Sequence, residues 1–460
     1  MRPEPKLSAL LRHPVSVVGT WIAALSAVLF LTGFAATMLG FEGGPYLGIV
    51  FFLVLPGFFV LGLLLIPAGL VLERRRRHRG LPPTVIRWPT VDLNDPHQRH
   101  VASVIVVATV VNVVIVSLAA YSGIEYMDSV AFCGQVCHKV MDPEFSAYQD
   151  GPHSRVTCVQ CHIGAGASWF VKSKLSGTRQ VFAVTFNTYS RPIPAPVTDL
   201  RPAMDTCEQC HWPAKFHGDK LNVVREYASD EANTEATTTV RVHVGGMTAR
   251  PGVATGIHWH VDPGNAIDYV AVDDRRQVIG KVVLRDRDGQ VVREYITDEV
   301  TPEQSSKGEL RRMDCMDCHN RPTHPFSATA ERAVDQAIAS EAIPRGLPYV
   351  RREAVAVLRT EYPSQAAAAK GIGEKLATFY RTQYPEAYRA RRQDVDQAIA
   401  ATQRVYRRNV FPDMKVTWGS YPNNIGHTDF PGCWRCHDDK HKAKDGRTIQ
   451  QDCELCHKVE

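Results

Sequence analysis

Three long stretches of this 460-residue chain lack any charged side chain: residues 14–41, 43–72 and 101–124. Each run is long enough to cross about 30 Å of bilayer hydrocarbon as a helix, so a wholly water-soluble fold is excluded and three spans are expected. The first run reads poorly as a cleaved leader, because it is too long and a second run follows closely. Charge imbalance is also missing from most of the chain: the first 100 residues hold ten Lys or Arg against five Asp or Glu, and the remaining 360 hold 43 of each. The formal charge of +5 therefore belongs to the N-terminal part. A nucleic-acid-binding surface, which needs basic patches interleaved with aromatics, is excluded. Arg2, Lys6 and Arg12 precede the first run, and "ERRRRHRG" with Arg87 and Arg99 lies between the second and third, whereas residues 42–45 carry no positive charge. Positive-inside bias then leaves the N-terminus and the 73–100 loop in the cytoplasm and everything after residue 124 outside it. Pro56 and Pro67 mark expected kinks in the second span.

No cysteine stands alone. All twelve fall into six pairs, each followed at once by histidine: Cys133/Cys137/His138, Cys158/Cys161/His162, Cys207/Cys210/His211, Cys315/Cys318/His319, Cys433/Cys436/His437 and Cys453/Cys456/His457. Neither a zinc ribbon nor a disulfide framework needs histidine beside every pair. Covalent haem attachment does: two thiols bond the porphyrin edge and the adjacent histidine is placed to ligate iron. Six haem c groups are expected, all in the oxidising compartment outside the cytoplasm. None of the three apolar runs contains a histidine. Haem gripped between membrane helices is therefore not expected, and electrons do not cross the bilayer through this chain.

Iron in such sites takes a second axial ligand. Beyond the spans, eight histidines lie outside the motifs: His153, His217, His243, His258, His260, His324, His427 and His441. His153, His324, His427 and His441 lie within six residues of a motif and are the first candidates. In "GIHWHVDP", His258 and His260 would share one face of a strand, so one is expected to ligate while the other is free or hydrogen-bonded. His217 is a further candidate, and His243, in "TVRVHVGG", reads as an ordinary strand residue.

The three spans, "CHKVMDPEFSAY", "GPHSRVTCVQCHIGAGASWFVKSKLSG" and "CMDCHNRPTH" together resemble the NapC/NirT family of membrane-anchored multihaem cytochromes, the specific match covering roughly residues 125–215. Among its members the chain is most similar to the larger inner-membrane forms that metal-respiring bacteria use to pass electrons outward. The resemblance implies electron uptake from a membrane quinol and delivery to periplasmic cytochromes or reductases. It also implies a methionine ligand to the first iron, for which Met141 is the candidate. The family pattern Cys-x-x-Cys-His-x-Met is lengthened here by one residue in each gap, so His138 and Met141 stay open as alternatives. Quinol oxidation requires proton acceptors; Asp142, Glu144, Lys172 and Lys174 are the candidates, and the two lysines resemble the family's quinol-site region. Where the family carries an acidic residue further along, this chain has Gln180. Only eight residues separate Ile124 from Cys133, which keeps the first motif near the outer bilayer surface.

Residues 218–312 lack cysteine and read as strands, "AIDYVAV", "QVIGKVVLRD" and "QVVREYIT" being separated by turn residues. Residues 327–410 read as helices, with Val395, Ile399, Thr402 and Tyr406 on one face. The expected architecture is an N-terminal three-helix transmembrane bundle (1–124) followed by a mainly α and irregular multihaem cytochrome c domain with a β-meander insert. Its parts are a three-haem segment (125–217), the insert (218–312), a fourth motif (313–326), a helical segment (327–410) and a two-haem end (411–460). The expected function is relay of electrons from quinol to periplasmic acceptors. The alternative is a terminal reductase for a nitrogen oxide or oxyanion, which needs an iron with an open face and often a Cys-x-x-Cys-Lys motif, absent from this chain.

Overall fold

The computed structural model describes residues 13–38, 54–82, 92–136, 138–164, 166–197, 200–212, 215–245, 256–262 and 264–460. Cys137 and residues 39–53 of the expected spans lie outside the described residues, and so does the side chain of His138. The chain divides into two units, one of residues 1–127 and 163–178, the other of residues 128–162 and 179–460.

In the first unit, α1 (Pro14–Met38) and α2 (Leu55–His78) are long and apolar enough to cross a membrane. They pack antiparallel along a seam of small residues. A Cβ on Gly19 would lie 2.7 Å from the Gly62 carbonyl, one on Gly62 2.6 Å from the Ala23 nitrogen, and one on Gly69 2.2 Å from Ser16 Oγ. Backbones this close gain dispersion contacts that lipid cannot supply. Ser16 Oγ adds a bond of 2.9 Å to the Ile66 carbonyl. Pro67 alone sits inside α2; Pro56 occupies its first turn, where the missing N–H has no intrahelical partner to lose. Four basic residues end α2, where the helix dipole favours them, and Arg77 pairs with the fully buried Glu73 at 2.7 Å. Helix α3 (Pro96–Met127) contains the third charge-free run, and its start is fixed by Asp95, whose carboxylate accepts from the His97 amide at 2.9 Å.

The second unit contains two sheets where the sequence suggests one meander. The hairpin β1 (Asp219–Tyr227) and β2 (Glu235–His243) pairs with β7 (His457–Val459) from the chain's end, in the order β1-β2-β7. The second sheet, β5-β4-β3-β6, combines β3 (Ala266–Ala271), β4 (Ile279–Arg285), β5 (Val291–Ile296) and β6 (Glu309–Arg312). The reason is the free edge of β2: Val242 pairs with His457, so the last motif completes the hairpin's sheet. The second sheet's apolar face packs Tyr269, Ile267 and Val282 against Trp259 and Cys436.

Residues 327–410 form a helical module of α6 (Ala330–Ala339), α7 (Val350–Leu358), α8 (Gln365–Gln383) and α9 (Arg392–Asn409), with a short turn before α9. Thr329 and Ser364 cap α6 and α8 by accepting from backbone amides. Every fourth residue of α8, Ala368, Ile372, Leu376 and Tyr380, is buried, facing Val395, Ala398 and Tyr406 of α9. The hairpin docks on this module through Asn233, fully buried in a left-handed turn (φ 50°). Its side chain donates to the carbonyls of Arg345 (2.9 Å) and Leu347 (2.8 Å) and accepts from the Arg351 amide (3.0 Å).

Candidate cofactor sites

All six motifs belong to the second unit, and those that are described sit on single helical turns, as in Cys158–His162, Cys315–Cys318, Gly432–Arg435 and Cys453–Leu455. A turn explains the spacing. The amides of His211 and His319 donate to the carbonyls of Cys207 and Cys315 at 2.8 Å, so residues i, i+3 and i+4 share one face. The first motif, with its extra residue, instead takes a π-turn, Phe132–Val136. An i→i+5 turn is wider than an α-turn and takes up one added position. Gly134 within it is buried under Phe145, whose ring a Cβ would meet at 2.2 Å.

The thiols of successive motifs are neighbours in chain order. Cys133 hydrogen-bonds Cys158 and holds its pKa low; Cys161 lies in the field of Cys210; Cys207 hydrogen-bonds Cys315; and Cys433 acts on both Cys318 and Cys456. Burial pushes the Cys318 and Cys436 thiols up to about 12. All eleven described cysteines are free thiols, and among the described residues no three His, Cys, Asp or Glu converge as a metal cluster.

Histidine geometry tests whether these motifs suit iron. Two imidazoles on opposite sides of one metal ion would place their ring centroids about 6.3 Å apart, from metal–nitrogen bonds of about 2.0–2.1 Å and about 1.1 Å from nitrogen to ring centre. Five motif histidines each face one other histidine near that separation. His162 faces His324 (6.4 Å), His211 faces His153 (5.9 Å), His319 faces His258 (6.4 Å), His437 faces His260 (5.8 Å) and His457 faces His427 (6.0 Å). The residues present fit haem c. Burial, before any neighbouring charge, lowers the pKa of His162, His260, His319 and His324, which keeps them neutral with a lone pair to give. Carbonyls orient several rings: Nδ1 meets Pro322 O for His153 (3.1 Å), Val244 O for His258 (3.1 Å), Ile257 O for His260 (2.8 Å), Glu144 O for His324 (2.8 Å) and Gln450 O for His437 (2.9 Å). Such a contact fixes the tautomer that leaves Nε2 for metal.

Of the remaining candidates, His441 is 1% exposed, with Nδ1 on Asp438 and Nε2 on the Ile279 carbonyl, both at 3.0 Å, so neither nitrogen is left for iron. His217 is exposed and turned to its own loop at Lys215 O, and His243 pairs with Asp219 at 2.9 Å. The strand expected for "GIHWHVDP" is a 3-10 turn, Ile257–Val261, which aims His258 and His260 at different motifs. Both members of that pair thus have a motif partner. Met141 lies half-buried on helix α4 (His138–Gln149).

The four quinol-site candidates divide between the units: Asp142 and Glu144, on α4, in the second, and Lys172 and Lys174, on α5 (Ala167–Thr185), in the first. Glu144 is bound by both oxygens to Arg321 Nη2 (2.9 and 3.2 Å), so its carboxylate is committed to an ion pair that ties α4 to the fourth motif. Asp142 is exposed and accepts from Ser146 at 3.3 Å; Lys172 stands 4.3 Å over the Trp169 ring. Arg321, the carbonyls behind the histidines and Asp317, which accepts from Tyr269 at 2.5 Å and clamps the fourth motif to β3, have no sequence signal of their own.

Residues 95–193 match the NapC/NirT cytochrome c family, N-terminal region. Over 456 residues the chain is 43% identical to the cytochrome c-type protein ImcH of Geobacter sulfurreducens, covering 99% of this chain and 89% of that protein. No solved structure matches.

Proposed function

The chain belongs to the NapC/NirT cytochrome c family, and we propose that it is a hexahaem membrane cytochrome that takes electrons from quinol and relays them to periplasmic acceptors. The observation that carries this reading is the facing of five imidazole pairs at 5.8–6.4 Å, each pair including one motif histidine. Haem c supplies one-electron couples when bound at these motifs. The chain's own part would be to offer two facing imidazoles at each of five motifs, which suits relay rather than small-molecule reduction; a terminal reductase would have to use the first motif. The chain-order contacts between thiols support a path from Cys133 toward Cys456.

On this reading the apolar helices hold the chain in the inner membrane as a multi-pass protein with its motifs in the periplasm, an orientation supported by the basic end of α2. Quinol oxidation releases two electrons and two protons. Asp142, Lys172 and Lys174 are the proton-accepting and headgroup-binding candidates, and Glu144 serves instead to hold His324 and Arg321 in place. Both protons leave on the outer side, so the step itself conserves no membrane potential. Stopped-flow mixing of membranes containing the mature protein with a menaquinol analogue tests this: reduction of the full complement of attached haem is expected, and a chain that stays oxidised overturns it. A Met141→Leu variant in the same experiment is expected to reduce more slowly, with a changed spectrum for one iron of six.

A further inference from the structure

The five imidazole pairs are not held alike. Outside the motifs, His153, His258, His260 and His324 each set Nδ1 against a backbone carbonyl at 2.8–3.1 Å. His427 has no hydrogen bond among the described residues. Its ring lies flat on the indole of Trp434, centroids 4.0 Å apart and planes 11° from parallel. Across from it, His457 Nδ1 is buried without a hydrogen-bond partner among the described residues. The pair at the sixth motif is thus the one in which neither imidazole is oriented through Nδ1 among the described residues, while at the fifth motif both His260 and His437 are. Trp434 is also one of the two residues between Cys433 and Cys436, so the fifth motif supplies the support for the pair at the sixth motif.

We propose that Trp434 is the positioning residue of the sixth site, its indole face holding the His427 ring opposite His457 in place of the carbonyl used elsewhere. The proposal rests on reading His427 as the outer ligand at that site. A carbonyl on Nδ1 sets the direction of the Nε2 lone pair; a stacked ring fixes the imidazole plane but lets it slide and turn within that plane. The sixth site is therefore the one whose outer ligand swings away most readily once its support is gone. At the end of the path, next to a tryptophan that is 42% exposed, such a site differs from the four that are closed by the fold.

The test counts carbon monoxide bound per attached haem by the fully reduced, haem-loaded full chain, with His427→Ala, Trp434→Leu and Trp434→Phe beside wild type. Leucine keeps an apolar side chain without a π face, and phenylalanine keeps the face. His427→Ala is expected to gain one equivalent per chain over wild type, Trp434→Leu most of that equivalent, and Trp434→Phe none. If His427→Ala gains one equivalent and Trp434→Leu gains none, the role of Trp434 is refuted while the ligand reading stands. If His427→Ala gains nothing, the ligand reading itself falls and takes the proposal with it. Phenylalanine behaving like leucine would also refute the stacking role.

Discussion

Replacing His258 and His260 separately gives the sharpest consequence of the site geometry, because residues two apart in one 3-10 turn face different motif histidines. With six motifs in the chain, losing one axial imidazole should turn about one-sixth of the haem from low-spin to high-spin, and losing both about one-third. The two single variants should also differ in kind. His258 and His319 have nearly parallel planes, 7° apart, whereas those of His260 and His437 are 73° apart. Parallel imidazole planes give rhombic ferric spectra and crossed planes strongly axial ones, since axial ligands set the iron's electronic state. Electron paramagnetic resonance of the oxidised protein should therefore lose a rhombic component in His258→Ala and an axial one in His260→Ala. Because the targets are separate irons, the double variant should equal the sum of the singles. A silent single variant, or a double no different from one single, would refute the assignment of the two histidines to different irons.

Gly134→Ala should disturb the π-turn of the first motif by about 1–3 kcal/mol of overpacking against Phe145, seen as a lower melting temperature and one haem fewer per chain, with Phe145→Ala in the same chain restoring both. Asn233→Ala removes three hydrogen bonds of a fully buried side chain, and at about 1 kcal/mol each should cost about 3 kcal/mol in denaturant unfolding of the helical module, with haem content unchanged. Glu144→Gln leaves Arg321 without its carboxylate and should cost about 1.5–3 kcal/mol of stability. The pH profile of reduction by a quinol analogue should not move if the Arg321 ion pair, rather than proton uptake, is the role of that carboxylate.

Covalent attachment requires two cysteines and a histidine to be adjacent in sequence, so all six motifs are legible without a structure. The facing histidines are legible only as a pool. Proximity to a motif selects His153, His324 and His427, but it also selects His441, whose nitrogens are both taken by Asp438 and Ile279. Nor does proximity name the partner. His153 lies nearest Cys158 in sequence yet faces His211, and His324 lies nearest His319 yet faces His162, because contact across the fold is decided by packing rather than spacing. The helical module is readable from its four-residue periodicity, whereas β7, three residues at the chain's end, depends on the open edge of β2. The added residue of the first motif is visible in the sequence as an exception, and the π-turn gives it a physical account.

The most direct measurement is a combined haem and spin-state count on the purified, membrane-extracted chain matured in a competent host. Intact mass should show six covalent haems, and magnetic circular dichroism should show at least five irons per chain with two imidazole ligands. A colourless protein holding zinc, or a coloured one in which most irons are high-spin, would contradict the account.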